Sequence, residues 1–453
     1  MTPLLEQGSA GYRSATSPLN SAAHQHPGAV VAATSVDEVA DAVRYAAAHG
    51  LLVVPQATGH GAAGELGSDV MLLDTAGLDE VEIDTRARTA RVGAGATWGA
   101  VNGRAWTSGL LGRSGSAPGV GVAGFTFGAG VGWLTRPHGL ASGSLTGVDY
   151  VDGSGRLRQA RDDAGDRMDR DVLWACRGGG GVGIVTALEF GLVAVEELWA
   201  GYQLWPISQL AVVVGAWAGA LPELRAAVGS SLAVLQAPDG PPFPPELRGQ
   251  WVVHLATAST GGQDGAAALR GATAGLGAVV DTWGPSDADR LAGIHLDPPV
   301  AAPALGDARW LDARAPGIVG DVLAVAAAGS LQMVEVRHVA NNAPALPGAM
   351  DTAPGGFILH AVGGPGPRTG ADLAAIRRAA VDADVGLAVG SWMDGQSDVP
   401  DALPGPVRDR VRATADAVDP TATLARSAVL GGAPPTTPRS TGAPRSVESA
   451  GGS

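Results

Sequence analysis

The sequence predicts an α+β protein of two domains: α/β units come first, and a second domain built on an antiparallel sheet backed by helices follows. Three observations lead to this fold class. With 453 residues, the chain is too long to fold around one hydrophobic core. Its first half alternates short apolar strands with helices and is rich in clustered glycines. After about Leu204 the pattern changes to longer strands separated by proline-rich connectors.

The first α/β unit is a strand, a helix and a second strand within residues 28–55. Ser35 and Glu38 predict a capping box at the start of the helix, apolar residues recur along one of its faces, and Gly50 is placed just beyond its end. The second strand, LLVVP, leads directly into a glycine-rich loop. Further strands and hairpins, together with one more helix, are predicted in residues 69–75, 81–96, 147–160 and 171–192.

The second half contains segments of strand character and fewer of helical character. Residues 205–222 are uncharged but are interrupted by proline and serine, so they predict a buried helix rather than a membrane span. Another helix is predicted at 370–385. The segments that predict strands are 250–260, 331–339, 355–364 and 385–394.

Charge and cysteine content exclude several classes of function. The formal net charge is −14, and no basic run occurs, which argues against nucleic acid and against an anionic membrane surface as partners. The single cysteine, Cys176, excludes an internal disulfide and a cysteine-rich metal site. The first residues lack the basic and apolar regions of a signal peptide, so a cytoplasmic protein is expected.

A glycine loop with a histidine inside it follows the strand LLVVP. The segment TGHGAAG, from Thr58 to Gly64, fits the G-x-G-x-x-G pattern of dinucleotide-binding proteins and carries His60. That pattern requires the last glycine to open a helix, whereas only the residues ELGS separate Gly64 from the next strand. A second match, GVGVAG at 119–124, does not follow a strand. Both matches are therefore weak evidence for a nicotinamide site.

Other motifs leave the function open at this point. A phosphate-binding loop of the Walker type needs a lysine, which the chain lacks. His24 and His26 have the spacing of metal ligands but no third ligand, so an exposed polar stretch is favoured and no metal is expected. Glycine loops at 58–64, 112–133 and 178–183 are either tight turns or a shared cradle for one elongated ligand, and the recurrence of three loops favours the cradle.

Four segments carry a resemblance to a known family: VVPQATGHGAAG, ARVGAGATWGAV, GSAPGVGVAGFTFGAGVGWLTRPHGL and WACRGGGGVGIVTALEF. They lie between Gly28 and Val195 and resemble the vanillyl-alcohol oxidase type of flavoproteins, in particular its berberine-bridge-enzyme-like branch. The resemblance resumes weakly at Glu335–His338 and Val418–Leu424. It implies the two-domain FAD-binding fold of the p-cresol methylhydroxylase type, in which the flavin domain has two α/β subdomains.

The resemblance also implies a domain division and a set of cofactor-binding residues. The expected division is an N-terminal extension (1–26), an FAD-binding domain (27–204), a substrate domain (205–395), a segment returning to the flavin domain (396–430) and a disordered tail (431–453). The residues expected to hold FAD are Gln56, Ala57, Thr58, Gly59, His60, Gly61, Gly115, Ser116, Gly119, Val120, Gly121, Gly124, Gly183, Ile184 and Val185.

The resemblance implies particular roles for His60, Ala117 and Val120. His60 matches the histidine that is linked covalently to the flavin in relatives, although a histidine that only binds a phosphate is the alternative. Ala117 stands where doubly linked relatives have a cysteine, so no second covalent link is expected. Val120 matches the position that controls the access of oxygen, and a small residue there is typical of oxidases.

Candidate catalytic residues lie in the second domain. No tyrosine stands in the late segment where related oxidases carry one, and Asp394 lies near that position. Asp394 is either a base, if burial raises its pKa, or an exposed turn residue. Glu335 and Arg337 share one face of a strand, with His338 on the other, and are expected either to pair with each other or to bind a polar substrate.

The resulting hypothesis is an FAD-dependent oxidase that takes hydride from a small molecule and is reoxidised by O2 to give H2O2. A bacterial source and a tailoring role in secondary metabolism are implied only by the resemblance and by the lysine-free composition. The alternatives are a flavin-containing but redox-neutral cyclase or isomerase, which the absent tyrosine favours, and a binding protein without turnover. A monomer or homodimer is expected.

Overall fold

The structure is a computed structural model that describes residues 3–298, 300–341, 343–399 and 401–430. The tail expected at 431–453 lies outside the described residues. The helices are α1 (Ala10–Ala15), α2 (Val36–His49), α3 (Trp98–Trp106), α4 (Val122–Phe127), α5 (Thr135–His138), α6 (Arg167–Cys176), α7 (Leu210–Ala220), α8 (Ala267–Thr273), α9 (Ala288–Gly293), α10 (Ala315–Ala327), α11 (Thr369–Ala379) and α12 (Gly405–Val418).

The strands of the first domain are short and precede residue 195. They are β1 (His24–Gln25), β2 (Ala29–Ala32), β3 (Leu52–Gln56), β4 (Glu65–Leu66), β5 (Val70–Asp74), β6 (Val81–Asp84), β7 (Thr89–Gly93), β8 (Leu110–Leu111), β9 (Leu145–Val151), β10 (Leu157–Arg161), β11 (Ile184–Gly191) and β12 (Val193–Ala194).

The strands of the second domain are longer, and the first of them crosses residue 204. They are β13 (Trp199–Pro206), β14 (Val228–Gln236), β15 (Trp251–Ser259), β16 (Val280–Asp281), β17 (Gly284–Pro285), β18 (Leu305–Leu311), β19 (Met333–His338), β20 (Phe357–Gly363) and β21 (Asp384–Ala388).

Two packed units make up the first domain. In the first unit, β2, β5 and β3 form a parallel sheet in the order β2-β5-β3, against which α2 packs. In the second, an antiparallel sheet has the order β10-β9-β11-β7-β6 and packs with α3 and α6. Both units are α/β or mixed layers around their own apolar core, so the predicted α+β fold class is confirmed.

A large antiparallel sheet forms the second domain, with the order β16-β13-β15-β14-β19-β20-β18-β21 and with β17 beside β13. One face carries apolar residues such as Val334 and Val336, which pack against α7, α10 and α11. The other face includes Trp310 and Ile358, which share a core with residues of the first domain such as Val131. The second domain therefore presents one face of its sheet to the glycine loops.

The segment after residue 400 packs against the first domain. Leu424 forms an isolated bridge to Val53 of β3, and Val411 on α12 belongs to the same core as the second sheet of the first domain. This contact positions the end of the described chain beside the strand that leads into the histidine loop.

Ser35 caps α2 as predicted, and the Glu38 carboxylate bonds the backbone of Ser35 and also accepts from Thr34 N at 2.7 Å. Other predicted elements are shorter than expected. The helix expected at 205–222 is limited to α7, because residues 205–206 end β13 and residues 207–209 form a 3-10 turn. The strand expected at 385–394 ends at Ala388, and residues 390–395 form a turn.

The described part of the chain contains no helix that is long and apolar enough to cross a membrane.

Substitution of Leu323 by alanine tests the core between α10 and the large sheet. Leu323 is fully buried in this core, so its truncation should lower the free energy of unfolding by about 2–5 kcal/mol. Val325→Ala on the same helix is the control, since Val325 is 40% exposed and its change should stay within about 0.5 kcal/mol. Chemical denaturation measures both, and equal losses would contradict this packing.

Candidate functional site

The first glycine loop follows β3 and is anchored by the N-terminal segment. The Gln56 amide donates to Ala15 O at 3.0 Å, and Asn20 N donates to Gly59 O at 3.1 Å. Gly59 has a φ of +70°, and a Cβ there would lie 2.5 Å from the Pro18 Cβ atom. Only glycine satisfies both conditions without strain, so the backbone of this loop has a defined shape.

His60 is half-buried, and its Nδ1 atom lies 3.2 Å from the Thr58 hydroxyl. Burial lowers the pKa of His60 below its usual value, and this effect exceeds the opposing influence of Asp297 and Asp394. The ring is therefore neutral at pH 7, with a lone pair on one ring nitrogen. A neutral imidazole is the form that a nucleophilic attachment to a flavin requires.

The second glycine loop lies directly against the first. A Cβ at Gly119 would stand 3.6 Å from His60 Cε1, and one at Gly121 would stand 3.7 Å from Thr58 Oγ1. Gly121 caps the start of α4, while Ser116 within the same loop is buried. Gly115 packs against the ring of Phe125, with 3.0 Å between that ring and a Cβ built on the glycine. The structure thus brings together the two loops that the sequence singled out.

The third loop joins the site through the end of α4. Gly180 N donates to Phe127 O at 2.9 Å, and Gly183, with a φ of +72°, approaches the ring of Tyr150 too closely for a Cβ. Ile184 and Val185 begin β11 and bury their side chains in the core. Their side chains are therefore structural, and only their main chain remains available for the predicted role.

These loops fit the flavin cofactor that the sequence implies. Gly61 and Gly124 have no atom within 4 Å of the position of a Cβ, and both are exposed, as is Gly119. The side of the loops that carries these glycines is therefore bare backbone with open space in front of it. Such a surface accommodates an elongated, flat ligand whose phosphates need N–H donors. Val120 is half-buried beside this surface.

A polar cluster lies on the face of the large sheet that is turned toward these loops. Its centre is Glu335 on β19, whose side chain has no exposure to solvent. Arg337, two residues further along the strand, donates to Glu335 Oε2 at 3.2 Å. Ser231 on β14 donates its hydroxyl to the same carboxylate. The predicted ion pair of Glu335 and Arg337 is present and fully buried.

Two histidines flank Glu335. His295 Nε2 lies 3.1 Å from Glu335 Oε1, and its Nδ1 lies 2.7 Å from Asp297 Oδ1. His360 Nδ1 lies 3.7 Å from Glu335 Oε1, and its Nε2 lies 2.9 Å from Asp394 Oδ2. The five groups form one continuous series, which we call the carboxylate–imidazole chain: Asp394, His360, Glu335, His295 and Asp297.

Asp394 and Asp297, at the two ends of the carboxylate–imidazole chain, are its solvent-accessible members. The side chains of Asp394 and Asp297 are 33% and 27% exposed, whereas those of His360 and His295 are 7% and 2% exposed. Asp394 lies in a turn, as one reading of the sequence expected, but its carboxylate is paired with His360. Both aspartates are near enough to influence His60 electrostatically. The turn that carries Asp394 also reaches the segment that anchors the first glycine loop, because a Cβ on Gly395 would lie 3.4 Å from Asn20 Nδ2, and Asn20 N donates to Gly59 O.

Electrostatic interactions keep the inner groups of the carboxylate–imidazole chain, Glu335, His295 and His360, ionised. Burial raises the pKa of Glu335, but Arg337 and His295 outweigh this effect and hold that pKa well below its usual value. Burial alone favours neutral imidazoles, yet Asp297 and Glu335 raise the pKa of His295 to about 10. Hydrogen bonding to Asp394 and the proximity of Glu335 raise the pKa of His360 to about 9. Both rings are therefore cations at neutral pH.

Two tryptophans enclose the guanidinium of Arg337. Its Cζ atom lies 4.1 Å from the ring centre of Trp133 and 4.6 Å from that of Trp392. Arg337 Nη1 is buried and has no hydrogen-bond partner among the described residues. The Trp392 ring also meets His360 edge to face, with 4.8 Å between ring centres. The cluster thus has aromatic walls around a charged centre.

Several members of this cluster were not identified from the sequence: Trp133, Ser231, His295, Asp297, His360 and Trp392. One of them carried a local signal. His360 lies in a predicted strand, and β19 and β20 pair Glu335 directly with His360. His338 lies on the opposite face of β19, as the alternation predicts, where it is buried and stacks on Phe357 at 4.8 Å between ring centres.

Alanine substitutions at two neighbouring glycines separate loop shape from ligand clearance. Gly59→Ala should cost about 1–3 kcal/mol of stability, because it forces a side chain into positive φ and against Pro18. Gly61→Ala should leave stability unchanged, since its Cβ meets no protein atom, but should lower the fraction of protein that retains FAD. Thermal unfolding and the ratio of flavin to protein absorbance measure these effects. Gly103→Ala, which also meets no atom, is the control; full flavin content in Gly61→Ala would contradict the placement of FAD.

Residues 27–161 match the protein family described as FAD binding domain. (R)-6-Hydroxynicotine oxidase from Paenarthrobacter nicotinovorans is 33% identical over 205 residues, which cover 44% of this chain and 44% of that protein. Xylooligosaccharide oxidase from Thermothelomyces thermophilus is 31% identical over 229 residues, which cover 49% and 45%. The match thus spans less than half the length of these curated relatives.

Solved structures show the same fold over nearly the whole chain. The structure of 6-hydroxy-D-nicotine oxidase from Arthrobacter nicotinovorans is similar with a TM-score of 0.78 and 22% identity, over 95% of this chain and 98% of that one. A berberine-bridge-enzyme-like protein from Physcomitrella patens also gives 0.78, with 18% identity over 95% and 97%. The chain thus contains an FAD-binding domain, and its overall fold is that of these solved flavoprotein structures.

Proposed function

We propose that the protein is an FAD-dependent oxidase that acts on a small molecule, with O2 as the electron acceptor and H2O2 as a product. The observation that carries this proposal is the position of the carboxylate–imidazole chain, whose partly exposed ends lie close enough to the glycine loop to act electrostatically on His60. An acid–base group beside a flavin is what oxidation of an O–H, N–H or acidic C–H compound requires. Relatives named as nicotine and oligosaccharide oxidases support the same class.

When bound, FAD supplies the acceptor for hydride, and its subsequent reaction with dioxygen completes turnover. The backbone N–H groups of the two adjoining glycine loops, with the Thr58 and Ser116 hydroxyls, would hold it. Val120 leaves space for oxygen beside the flavin. Trp392 and the aspartates would enclose the substrate and exclude water from it. A tailoring role in secondary metabolism is consistent with this chemistry and is part of the proposal.

Asp394 is the group best placed to take a proton from the substrate. Its carboxylate is accessible and is an acceptor, whereas Glu335 is enclosed by Arg337 and other partners. Glu335 cannot take this proton, because its side chain has no solvent exposure and is surrounded by protein groups. The substrate proton would pass to Asp394, and the electron pair of the broken bond would stay on the substrate. Glu335 and Arg337 then do not contact the substrate, and they influence the reaction through the residues that they touch.

A redox-neutral cyclase or isomerase is the second candidate. The observation that favours it is that both buried histidines are cations and can donate protons, which such reactions need. Asp394 and His360 would then supply a base and an acid at one edge of the site. Net oxidation distinguishes the two candidates, and a protein that purifies without flavin would favour a third, a binding protein without turnover.

Flavin bleaching and peroxide formation test the oxidase. Anaerobic addition of a substrate should bleach the flavin, and readmission of air should release H2O2; 6-hydroxynicotine and xylooligosaccharides, taken from the names of the relatives, are the first probes of amine and sugar classes. Asp394→Asn should lower kcat/KM by roughly 10²–10⁴-fold, the usual contribution of a positioned base. Asp416→Asn, at an exposed ion pair, is the control. Product formation with an oxidised flavin throughout would favour the redox-neutral reaction.

The link between His60 and FAD is tested by mass. We propose that the neutral ring of His60 attaches the flavin covalently and that, with Ala117 in the second loop, no cysteinyl link accompanies it. After acid denaturation, the chain should keep its yellow colour and the added mass of FAD. His60→Ala should release the flavin under the same treatment while still folding, because the side chain is only half-buried. A bare-chain mass for the unsubstituted protein would show that binding is non-covalent.

A further inference from the structure

The charges of this cluster balance when its five titratable groups hold two protons in total. Asp394, Glu335 and Asp297 supply three carboxylates, and Arg337 supplies one permanent cation. Two further positive charges are needed to neutralise this set, and His360 and His295 are the remaining titratable groups in contact with it. Uncompensated charge in a buried site is costly, and each imidazole lies between two carboxylates, so we assign the two protons to these rings.

Glu335 connects the two pairs of the carboxylate–imidazole chain, Asp394–His360 and His295–Asp297. His360 and His295 both lie near the same oxygen, Glu335 Oε1, at 3.7 Å and 3.1 Å. Oε2 accepts from the Ser231 hydroxyl and from Arg337. Protein groups thus surround this carboxylate, although His360 Nδ1 is beyond hydrogen-bond distance, and its side chain has no solvent exposure. A substrate cannot reach it.

The other charged and titratable groups near the carboxylate–imidazole chain do not act as a counter-ion for the two histidines. His254, on β15, lies near His295 but donates its Nε2–H to Ile294 O and stays neutral, because burial lowers its pKa to about 3. Trp392 contacts His360 through its ring alone. Near Asp297 lies the hydroxyl of Ser116, and near both aspartates lies the neutral ring of His60. No other carboxylate among the described residues is recorded in contact with either histidine.

We propose that Glu335 is a positioning residue that keeps His360 and His295 protonated together, so that Asp394 and Asp297 each face the flavin loop with a cationic imidazole behind them. This inference rests on the proposed function and assigns its acid–base apparatus. Two carboxylate–imidazole pairs share one counter-ion and therefore titrate as a coupled unit. His360 and His295, like Glu335, act through the aspartates, and Asp394 alone receives the substrate proton.

Histidine NMR on the flavin-containing protein tests the coupling directly. With the nine histidines isotopically labelled and assigned by single substitutions, His360 and His295 should remain protonated through neutral pH and titrate only in the alkaline range. In Glu335→Gln the titration midpoints of both rings should fall by about 1–3 pH units, the effect of losing one nearby opposite charge. His338, on the other face of the same strand, is the internal control and should stay neutral throughout.

A second pair of variants covers the case in which Glu335→Gln does not fold. Asp394→Asn should lower the midpoint of His360 strongly and that of His295 weakly, and Asp297→Asn should do the reverse. Unchanged midpoints of both rings in folded Glu335→Gln, or in both aspartate variants, would overturn the proposal. A protein whose histidines behave as expected but whose flavin is never reduced would instead refute the oxidase function and leave the coupling intact.

Stability against pH gives a readout that does not depend on flavin chemistry. Both histidines have pKa values raised above 6.5 by folding, so their contribution to stability is complete below about pH 6.5 and is lost as the pH rises through about 9 and 10. In Glu335→Gln this alkaline loss should be smaller and should end at a lower pH than in the unsubstituted protein. An identical profile in the two proteins would contradict a shared counter-ion.

Discussion

The burial of the Glu335 charge is the constraint on which the site depends. Moving a carboxylate out of water costs several kcal/mol even after the protein relaxes, and this cost is offset only by nearby positive charge and hydrogen bonds. Arg337 on the same strand cannot provide all of these contacts. Residues from β14, β20 and the segment after α9 therefore converge on Glu335. The requirement ties together parts of the chain that are far apart in sequence.

The large sheet makes that convergence possible because its two faces have different tasks. Val334 and Val336 point to the helices, and Glu335 and Arg337 point to the first domain. The apolar face provides the packing that holds neighbouring strands in register. The register in turn aligns Glu335 with His360 and Arg337 with Ser231. An ordinary hydrophobic core on one side of the sheet thereby positions charged groups on the other.

The first domain supplies a complementary surface of backbone. Gly59 has a positive φ and lies too close to Pro18 for a side chain. Gly119 and Gly121 lie against residues of the neighbouring loop. The absence of side chains leaves N–H groups accessible and places His60 at the edge of the open surface. Asp394 and Asp297, the two acidic ends of the carboxylate–imidazole chain, lie close enough to this edge to act electrostatically on His60. A flavin on one side and a substrate between the domains would meet at that border.

Local patterns in the sequence were sufficient for the α+β fold class, for most of the strands and for the glycine loops. Those features depend on apolar spacing and on backbone sterics, which act over a few residues. Alternation along β19 also separated Glu335 and Arg337 from His338. The partners of Glu335 could not be identified in this way. His295 and His360 lie 40 and 25 positions from it, and only the pairing of strands and the packing of the segment after α9 bring them together. Tertiary structure alone decided that these residues share one buried charge, because strand register and domain contact depend on the packing of the whole chain.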